Sequence, residues 1–356
     1  MNPYIYLRGL RRADHTVFVV QDGQKTYRDP MYPRVSLPYS SGQQVKRSIL
    51  EGMTAQLGEK QSPTTFVFNV NTSNQLGEGE VLSVCDPAFA DQLIGGWMSA
   101  VQGGESRTIK RRSPLSISAM RPLHPLLASA NDRENLTFDR SDKPGIHKVV
   151  VRNSNGEILT DEQVVSFLEG TDRSLRRKWI PDNRRATGLF VYDIAIDLRT
   201  LFSVSTNEFE PELAKATKER LKSEGWLESE NAFGPCLLCP KERREEIIPA
   251  LAHALINWRI TTNQARTYSP QETLAVAISD NANRIAGTIR AKLNEEDENK
   301  ARPIVDENIP DTDVFVTLAC AGYIAVHSES YDALDKAEAK LTELMLAFDY
   351  ENQLAK

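Results

Sequence analysis

The segment Ser40-Ser41-Gly42-Gln43-Gln44-Val45-Lys46-Arg47-Ser48-Ile49 predicts the beginning of an amphipathic helix. Its two serines stand where a helix N-cap is expected, because a hydroxyl there can accept a hydrogen bond from an unpaired N–H. Apolar residues then recur at every fourth position, which places them on one helix face. They are Val45, Ile49, Met53 and Leu57, and Gly58 supplies a stop. The pattern predicts a helix over residues 42–57.

The same helix start is a candidate site for phosphate. The first N–H groups of a helix have no internal partner and carry the positive end of its dipole. Gly42 allows a backbone to come close, and Lys46-Arg47 add positive charge. Neutral donors are supplied by Ser40, Ser41, Gln43 and Gln44. An ordinary capped helix with two solvated cations explains these residues as well, and the segment alone leaves both interpretations open.

The rest of the chain predicts an α+β fold, in which a sheet carries helices on one face. Extended, β-forming segments are predicted at 4–20, 66–70, 189–198, 273–278 and 314–326. Further helices are predicted at 88–101, 211–223, 241–258 and 331–348, with a kink at Pro249. Residues 21–39 suit a loop or a short hairpin, and the acidic segment 280–312 is expected to be partly mobile.

Residues 105–188 differ from the segments on either side of them. They are rich in Arg, Pro, Ser and Asn, and they show few periodic stretches and no clear core face. We therefore predict that 105–188 is a large insertion, and that 1–104 and 189–356 together form the compact domain.

The charge of the chain is unevenly distributed. Its net charge of −6 argues against a nucleic-acid partner. However, residues 1–199 carry 26 Lys and Arg against 22 Asp and Glu, while residues 200–356 carry 17 against 27. A polarised molecule of this kind can offer a basic face to a phosphate backbone while its acidic face stays in solvent. Chance clustering on a solvated surface is the alternative.

Two further polar segments offer contacts to a negatively charged ligand. The stretch from Arg107 to Leu115 places Arg111-Arg112 before Ser-Pro, which suits either a phosphate clamp or a solvated turn. The stretch from Trp258 to Tyr268 presents hydroxyl, amide and guanidinium donors. These donors include Thr262, Gln264 and Arg266. A plain solvated connection explains the second stretch equally well.

The sequence carries no motif of a common enzyme class. The glycine-rich phosphate-binding, metalloprotease and nucleophile-elbow motifs are all missing. Cys236-Leu237-Leu238-Cys239 lacks two further ligands nearby, so we expect no metal site, and the low cysteine content suits a reducing cytosol. No apolar stretch is long enough to span a bilayer, and residues 1–8 lack the layout of a secretory signal. Asp14 beside His15 could act on a phosphodiester as base and acid.

Four segments, taken in order, resemble CRISPR-associated backbone subunits of the DevR-like branch of the RAMP superfamily, which belong to type I Cascade effectors. The stretch from Tyr39 to Ile49 is similar to the first-helix signature of that family, and Lys110 to Ser118 resembles its basic Ser-Pro segment. Tyr192 to Leu198 resembles the strand that follows the family's thumb insertion. Asn263-Gln264-Ala265-Arg266 is similar to the family's late polar loop.

The resemblance implies an RRM-like (ferredoxin-like) palm, with large insertions that form a β-hairpin thumb and a finger region. It implies that several copies stack along a CRISPR RNA, bind target DNA through this guide, and join other Cascade subunits in the cytoplasm of a prokaryote. No catalytic residue, cofactor, metal or membrane contact is implied. The residues expected to bind RNA are Arg8, Ser40, Ser41, Gln43, Gln44, Lys46, Arg47, Arg111, Arg112, Thr262, Gln264 and Arg266.

Two alternatives stay open at this point. Related backbone subunits of type III effectors cut RNA with an aspartate in an early loop, so a metal-dependent RNase using Asp14 is the rival interpretation. A transcriptional or housekeeping RNA-binding protein without a CRISPR role is the third.

Overall fold

The computed structural model describes residues 2–18, 24–70, 72, 74–77, 79–100, 107–139, 149–171, 177–261 and 268–354. Within these ranges the strands are, in chain order, Tyr4–Thr16 (β1), Thr26–Asp29 (β2), Tyr32–Pro38 (β3), Thr64–Phe66 (β4), Asn69–Val70 (β5), Leu76–Gly77 (β6), Val81–Ser83 (β7), Trp97–Ser99 (β8), Ile109–Arg111 (β9), Leu115–Ile117 (β10), Arg121–Pro122 (β11), Ala128–Asp139 (β12), Arg177–Asp197 (β13), Ser203–Ser205 (β14), Leu227–Asn231 (β15), Gly234–Leu238 (β16), Glu272–Ser279 (β17), Ile289–Leu293 (β18), Ala301–Val305 (β19), Thr312–Thr317 (β20) and Glu329–Ser330 (β21). The α-helices are Gly42–Leu57 (α1), Ala90–Gly95 (α2), Asp161–Leu168 (α3), Leu198–Leu201 (α4), Lys215–Ser223 (α5), Lys241–Asn257 (α6), Ala282–Thr288 (α7) and Ala333–Leu346 (α8), and a 3₁₀ helix covers Leu318–Gly322. In the described ranges, no helix combines the length and the apolar character that crossing a membrane requires.

The central sheet is built around β1, the first strand of the chain. Its strand order is β10-β13-β1-β17-β20-β21, and all neighbours are antiparallel except β20 and β21. Leu7 of β1 lies opposite Ile194 of β13 on one side and Ile278 of β17 on the other. The chain visits β1, α1, β10, β13, α6 and β17 in this order, whereas the strands lie side by side as β17-β1-β13-β10. The predicted α+β class is confirmed.

Side chains of β1 alternate between the two faces of this sheet. Ile5 and Leu7 are 4% and 0% exposed, and they belong to a large core beneath α1, α6 and α8. We call this the closed face. The open face carries Tyr4, Tyr6 and Arg8, which remain partly exposed. A smaller core from α7, the β18–β19 hairpin and the 3₁₀ helix covers only part of it.

Helix α1 begins and ends where the sequence predicts. Ser41 is the N-cap, and its Oγ accepts a hydrogen bond from the N–H of Gln44 at 3.3 Å. Gly58 ends the helix in the left-handed conformation, with a φ of 69°, which costs a glycine little. The predicted apolar face packs on α6 and the sheet, and three of its residues are fully buried. These are Val45, Ile49 and Met53.

The end of α6 is held by a buried cation from β1. Arg11 is 0% exposed, and its guanidinium donates to the carbonyl oxygens of Ile256 at 3.0 Å and Trp258 at 2.8 Å. It also lies over the Trp258 ring, 3.8 Å from the ring centre. Burial lowers the pKa of Arg11 to about 10, so it stays charged at neutral pH. A positive charge suits this place because the last carbonyls of a helix lack partners and carry its negative end.

Several predicted elements take a different form. The strand predicted at 66–70 is split between the short strands β4 and β5. The region 88–101, predicted as one helix, forms the short helix α2 followed by strand β8. The strand predicted at 314–326 ends with β20 and continues as the 3₁₀ helix. The acidic segment 280–312 contains α7 and the β18–β19 hairpin. Its run of acidic residues lies in the turn of this hairpin.

A long hairpin of β12 and β13 leaves the sheet as an arm. The second half of β13 pairs with β1, and its first half pairs with β12. Strands β10 and β11 fall inside the predicted insertion 105–188, yet both pair with β13 in the sheet. The arm itself begins at Ala128, where β12 first pairs with β13. Strands of two or three residues carry too little alternation to be read from sequence.

Candidate functional site

The start of α1 lies against the edge strand β10. A Cβ added to Gly42 would stand 2.6 Å from the carbonyl oxygen of Ile117, so only glycine fits there. The backbone that Gly42 admits is therefore that of the chain itself. This contact fills the space beside Gly42, but one side of α1 is open to a ligand.

That side of α1 forms one wall of a cleft with a volume of about 610 Å³. Gln43, Lys46 and Arg47 line this wall. Gln43 and Arg47 are exposed, and the Nε of Arg47 donates to Glu51 Oε1 at 2.7 Å, one turn further along the helix. The structure thus brings together three of the residues predicted to bind RNA. We call this the α1 cleft.

Lys46 lies deeper in the α1 cleft than Arg47. Its Nζ donates to the carbonyl oxygen of Gly95 at 2.5 Å, at the end of α2. Burial and the nearby charge of Arg111 lower the pKa of Lys46 to about 8. The ammonium group is therefore charged at neutral pH, and a phosphate brought beside it would favour the charged form further.

The neighbours Arg111 and Arg112 have opposite environments. Arg111 is 4% exposed, and its guanidinium donates to the carbonyl oxygens of Leu93, Thr200 and Ser203. Arg112 is exposed and forms no hydrogen bond or ion pair within the described part of the chain. Arg112 is not among the residues that line the α1 cleft, and it lines a second cavity, of about 540 Å³, with Lys110 and Arg199. Arg111 is consequently a structural residue in this arrangement, and Arg112 is available to a ligand.

Ser40 is fully buried, unlike Ser41. Its Oγ donates to the carbonyl oxygen of Phe18 at 3.3 Å, and its backbone forms a bridge with Met120. The hydroxyl predicted to bind RNA is thus enclosed by the chain. Ser40 fixes the path of the chain into α1, and it does not line the α1 cleft.

Arg8 lies on the open face of the sheet, away from the α1 cleft. It donates to Asp193 Oδ1 at 2.6 Å and Oδ2 at 3.1 Å, and to the carbonyl oxygen of Ile289 at 3.0 Å. Arg121 binds the same carboxylate at 3.0 Å. Two arginines therefore share one aspartate, which leaves this cluster with a net positive charge.

The three predicted contacts of the late loop, Thr262, Gln264 and Arg266, lie outside the residues that the structure describes. Their role stays a prediction.

The open face also carries planar side chains that the sequence analysis did not single out. Tyr4 and Tyr6 stack on one another, and Arg199 lies over the ring of Tyr4 and over that of Phe233. The alternation of Tyr4, Tyr6 and Arg8 along one strand was a usable signal for the first part of this group. Phe233 comes from a distant hairpin, and no spacing in the sequence predicts its place.

The residue of the rival RNase interpretation, Asp14, lies at the base of the arm. Its carboxylate accepts from Thr187 Oγ1 at 3.4 Å and pairs with Arg12 at 3.4 Å, and it is 70% exposed. Among the described residues, no group of three or more His, Cys, Asp or Glu side chains is placed to hold a metal ion. Cys236 and Cys239 are buried thiols, and burial raises the pKa of Cys239 to about 12.

The sequence matches no protein-family model and no curated protein. The structure is similar to chains from CRISPR RNA-guided surveillance complexes. One, from a pre-nicking complex, is 10% identical with a TM-score of 0.44, and the match covers 96% of this chain and 89% of that chain. A second, from another CRISPR RNA-guided surveillance complex, is 11% identical with a TM-score of 0.38, and the match covers 96% of this chain and 84% of that chain.

Proposed function

We propose that the protein is a non-catalytic CRISPR RNA-binding backbone subunit of a type I Cascade complex. The observation that carries this proposal is the α1 cleft, where Gln43 and Arg47 lie exposed beside Lys46. In this function several copies stack along the guide RNA in the cytoplasm of a prokaryote. Target DNA binds by pairing with the guide, and other Cascade subunits complete the complex.

The topology supports an RRM-like palm within this proposal. The order β1, α1, β10, β13, α6, β17 is a β-α-β-β-α-β arrangement, and its four strands lie side by side as fourth, first, third and second. The β12–β13 arm suits the thumb, and the short hairpins of β4 to β7, which follow α1, suit the finger region. The division into a palm of 1–104 and 189–356 and a thumb within 105–188 remains part of the proposal.

The chemistry of the α1 cleft suits phosphate and not base edges. Arg47 and Lys46 supply positive charge, while Gln43 supplies an amide donor. Contacts of this kind hold a nucleic-acid backbone without reading its sequence. Specificity would then come from base pairing between guide and target.

Binding of a labelled guide RNA to the purified chain tests this assignment. We expect Gln43→Glu/Arg47→Glu to weaken binding by about 10- to 100-fold at moderate salt, and to reduce the slope of log affinity against log salt. The control, Lys241→Glu/Lys300→Glu, removes more positive charge from exposed sites elsewhere and should bind normally. Equal affinity of both double variants for guide RNA would overturn the role of the α1 cleft.

The absence of cleavage is also part of the proposal. Incubating the assembled complex with complementary RNA and Mg²⁺ should leave that RNA intact. Cleavage at regular intervals that disappears in Asp14→Ala would instead establish the metal-dependent RNase.

A further inference from the structure

We propose that the open face of the sheet is a second binding site, which stacks unpaired bases of single-stranded RNA. The site is a row of four planar side chains, Tyr6, Tyr4, Arg199 and Phe233, which we call the planar ladder. It lies on a different surface from the α1 cleft and does not depend on the guide-RNA assignment.

The first two members of the planar ladder are stacked on each other. Tyr4 and Tyr6 are two residues apart on β1, so both rings project from the same face. Their centroids lie 5.8 Å apart, and the rings are inclined by only 21°. Each ring therefore covers one face of the other, and the outer face of Tyr6 is the one left at this end of the row.

Arg199 and Phe233 extend this row. The Arg199 guanidinium lies 4.9 Å from the centre of the Tyr4 ring and 4.7 Å from that of Phe233. Asp197 fixes its plane by two bonds, of 2.8 Å from Nε and 2.9 Å from Nη2. Phe233 closes the row and is 64% exposed, so its ring is accessible to a ligand. A base is a planar partner for the outer faces of the two end members, Tyr6 and Phe233, while Tyr4 and Arg199 hold these ends in one row.

The strands beside the planar ladder leave room for a ligand. Small residues, Ser116 and Ala195, line both a cavity of about 540 Å³ beside Tyr4, Arg199 and Phe233 and a cavity of about 440 Å³ beside Tyr6. The two cavities therefore adjoin at the Ser116–Ala195 pair of β10 and β13, and together we call them the groove. A groove of this shape suits an extended strand of nucleotides.

The charges of the groove favour a phosphate backbone. Lys110 and Arg112 line its wider end, and both are exposed, with no side-chain hydrogen bond or ion pair within the described ranges. Of the carboxylates, Asp197 is bound by Arg199, and Asp193 by Arg8 and Arg121. Glu212 accepts from the N–H of Ser205 at 2.7 Å, and Glu210 lies exposed at the rim. Bases on the planar ladder would place phosphates near the two free cations.

The hydroxyl of Ser116 favours RNA over DNA. It is exposed on the groove floor and forms no hydrogen bond among the described residues, so it is free to bond a ribose 2′-hydroxyl.

The test measures binding of a short oligouridine that carries one 2-aminopurine, whose fluorescence falls when it stacks. The full chain is used after removal of bound nucleic acid. We expect Phe233→Ala and Tyr6→Leu each to weaken binding by about 5- to 100-fold and to reduce the quenching. Tyr331→Ala, which removes an aromatic ring that is 89% exposed elsewhere, should change neither.

The results separate this site from the α1 cleft. Loss of quenching in the Phe233 and Tyr6 variants, with Gln43→Glu/Arg47→Glu quenching normally, supports the planar ladder even if guide-RNA binding fails. Normal affinity and quenching in both Phe233→Ala and Tyr6→Leu would overturn it. Tighter binding of the matching DNA strand would overturn the assignment to RNA.

Discussion

The closed and open faces of the central sheet are built from alternate residues of the same strand. Leu7 is 0% exposed beneath three helices, whereas its neighbours Tyr6 and Arg8 lie on a face that is only partly covered. One step along β1 therefore separates the hydrophobic core from a surface that can bind a ligand. Arg111 and Arg112 repeat this contrast, since one is buried among carbonyls and the next is free.

The largest expected effect separates Arg111 from Arg112. Removing Arg111 leaves the carbonyl oxygens of Leu93, Thr200 and Ser203 buried without their donor. We expect Arg111→Ala to lower the free energy of unfolding by about 3–5 kcal/mol. Arg112→Ala should leave it unchanged and weaken RNA binding. Urea unfolding of both variants checks this, and equal stability would show that the two environments are not distinct.

The next effect separates the two faces directly. Leu7→Ala should cost about 2–5 kcal/mol of unfolding free energy, because it leaves a cavity in the closed face. Tyr6→Ala should cost roughly half as much, because the ring is only partly buried. For oligouridine binding we expect the opposite ranking: Tyr6→Ala should weaken it, and Leu7→Ala should not. A larger loss of stability in Tyr6→Ala would contradict the division into closed and open faces.

Lys46 and Arg47 differ in the same way on α1, and pH reveals the difference. The pKa of Lys46 is about 8 in the folded chain, against 10.5 for a free lysine, so the unfolded chain binds more protons at this residue between these values. Stability should therefore rise from pH 8 to pH 10.5 in the wild type, relative to Lys46→Met. Urea unfolding at a series of pH values measures this difference. Parallel pH profiles for the two proteins would mean that Lys46 is not buried.

The smallest expected effect concerns the cap of α1. Ser41→Ala removes the acceptor of the Gln44 N–H and should cost about 1 kcal/mol. Ser41→Asn retains an acceptor and should restore most of this loss. Thermal unfolding distinguishes the two, and identical melting of Ser41→Ala and the wild type would show that the hydroxyl does not cap the helix.

Elements with a strong local pattern could be predicted from the sequence. The bounds of α1 followed from Ser41, the spacing of Val45, Ile49 and Met53, and Gly58. The core strand β17 and the helix α6 were also found close to their actual ranges. The helices α1 and α6 carry a helical periodicity over at least 16 residues, and β17 is a nearly continuous apolar run, so local and tertiary preferences agree.

The remaining features depend on tertiary contacts that no local pattern records. Ser40 and Ser41 are the same residue type, and contacts with distant residues, the bridge to Met120 and the hydrogen bond to the Phe18 carbonyl, enclose the first of them. Arg111 and Arg112 are likewise equivalent in sequence, and the short strand β9 sets which side chain points inward. Phe233 reaches the planar ladder from a hairpin more than 200 residues after Tyr4 and Tyr6, so its place was not predictable.

The most direct test of guide-RNA binding is the nucleic acid that the full chain carries when it is purified from cells that also express a CRISPR array. We predict that the wild type and Lys241→Glu/Lys300→Glu retain small RNA of one discrete length, and that Gln43→Glu/Arg47→Glu is folded but free of it. A stable wild-type protein that carries no RNA and does not bind added guide RNA would contradict the proposed function.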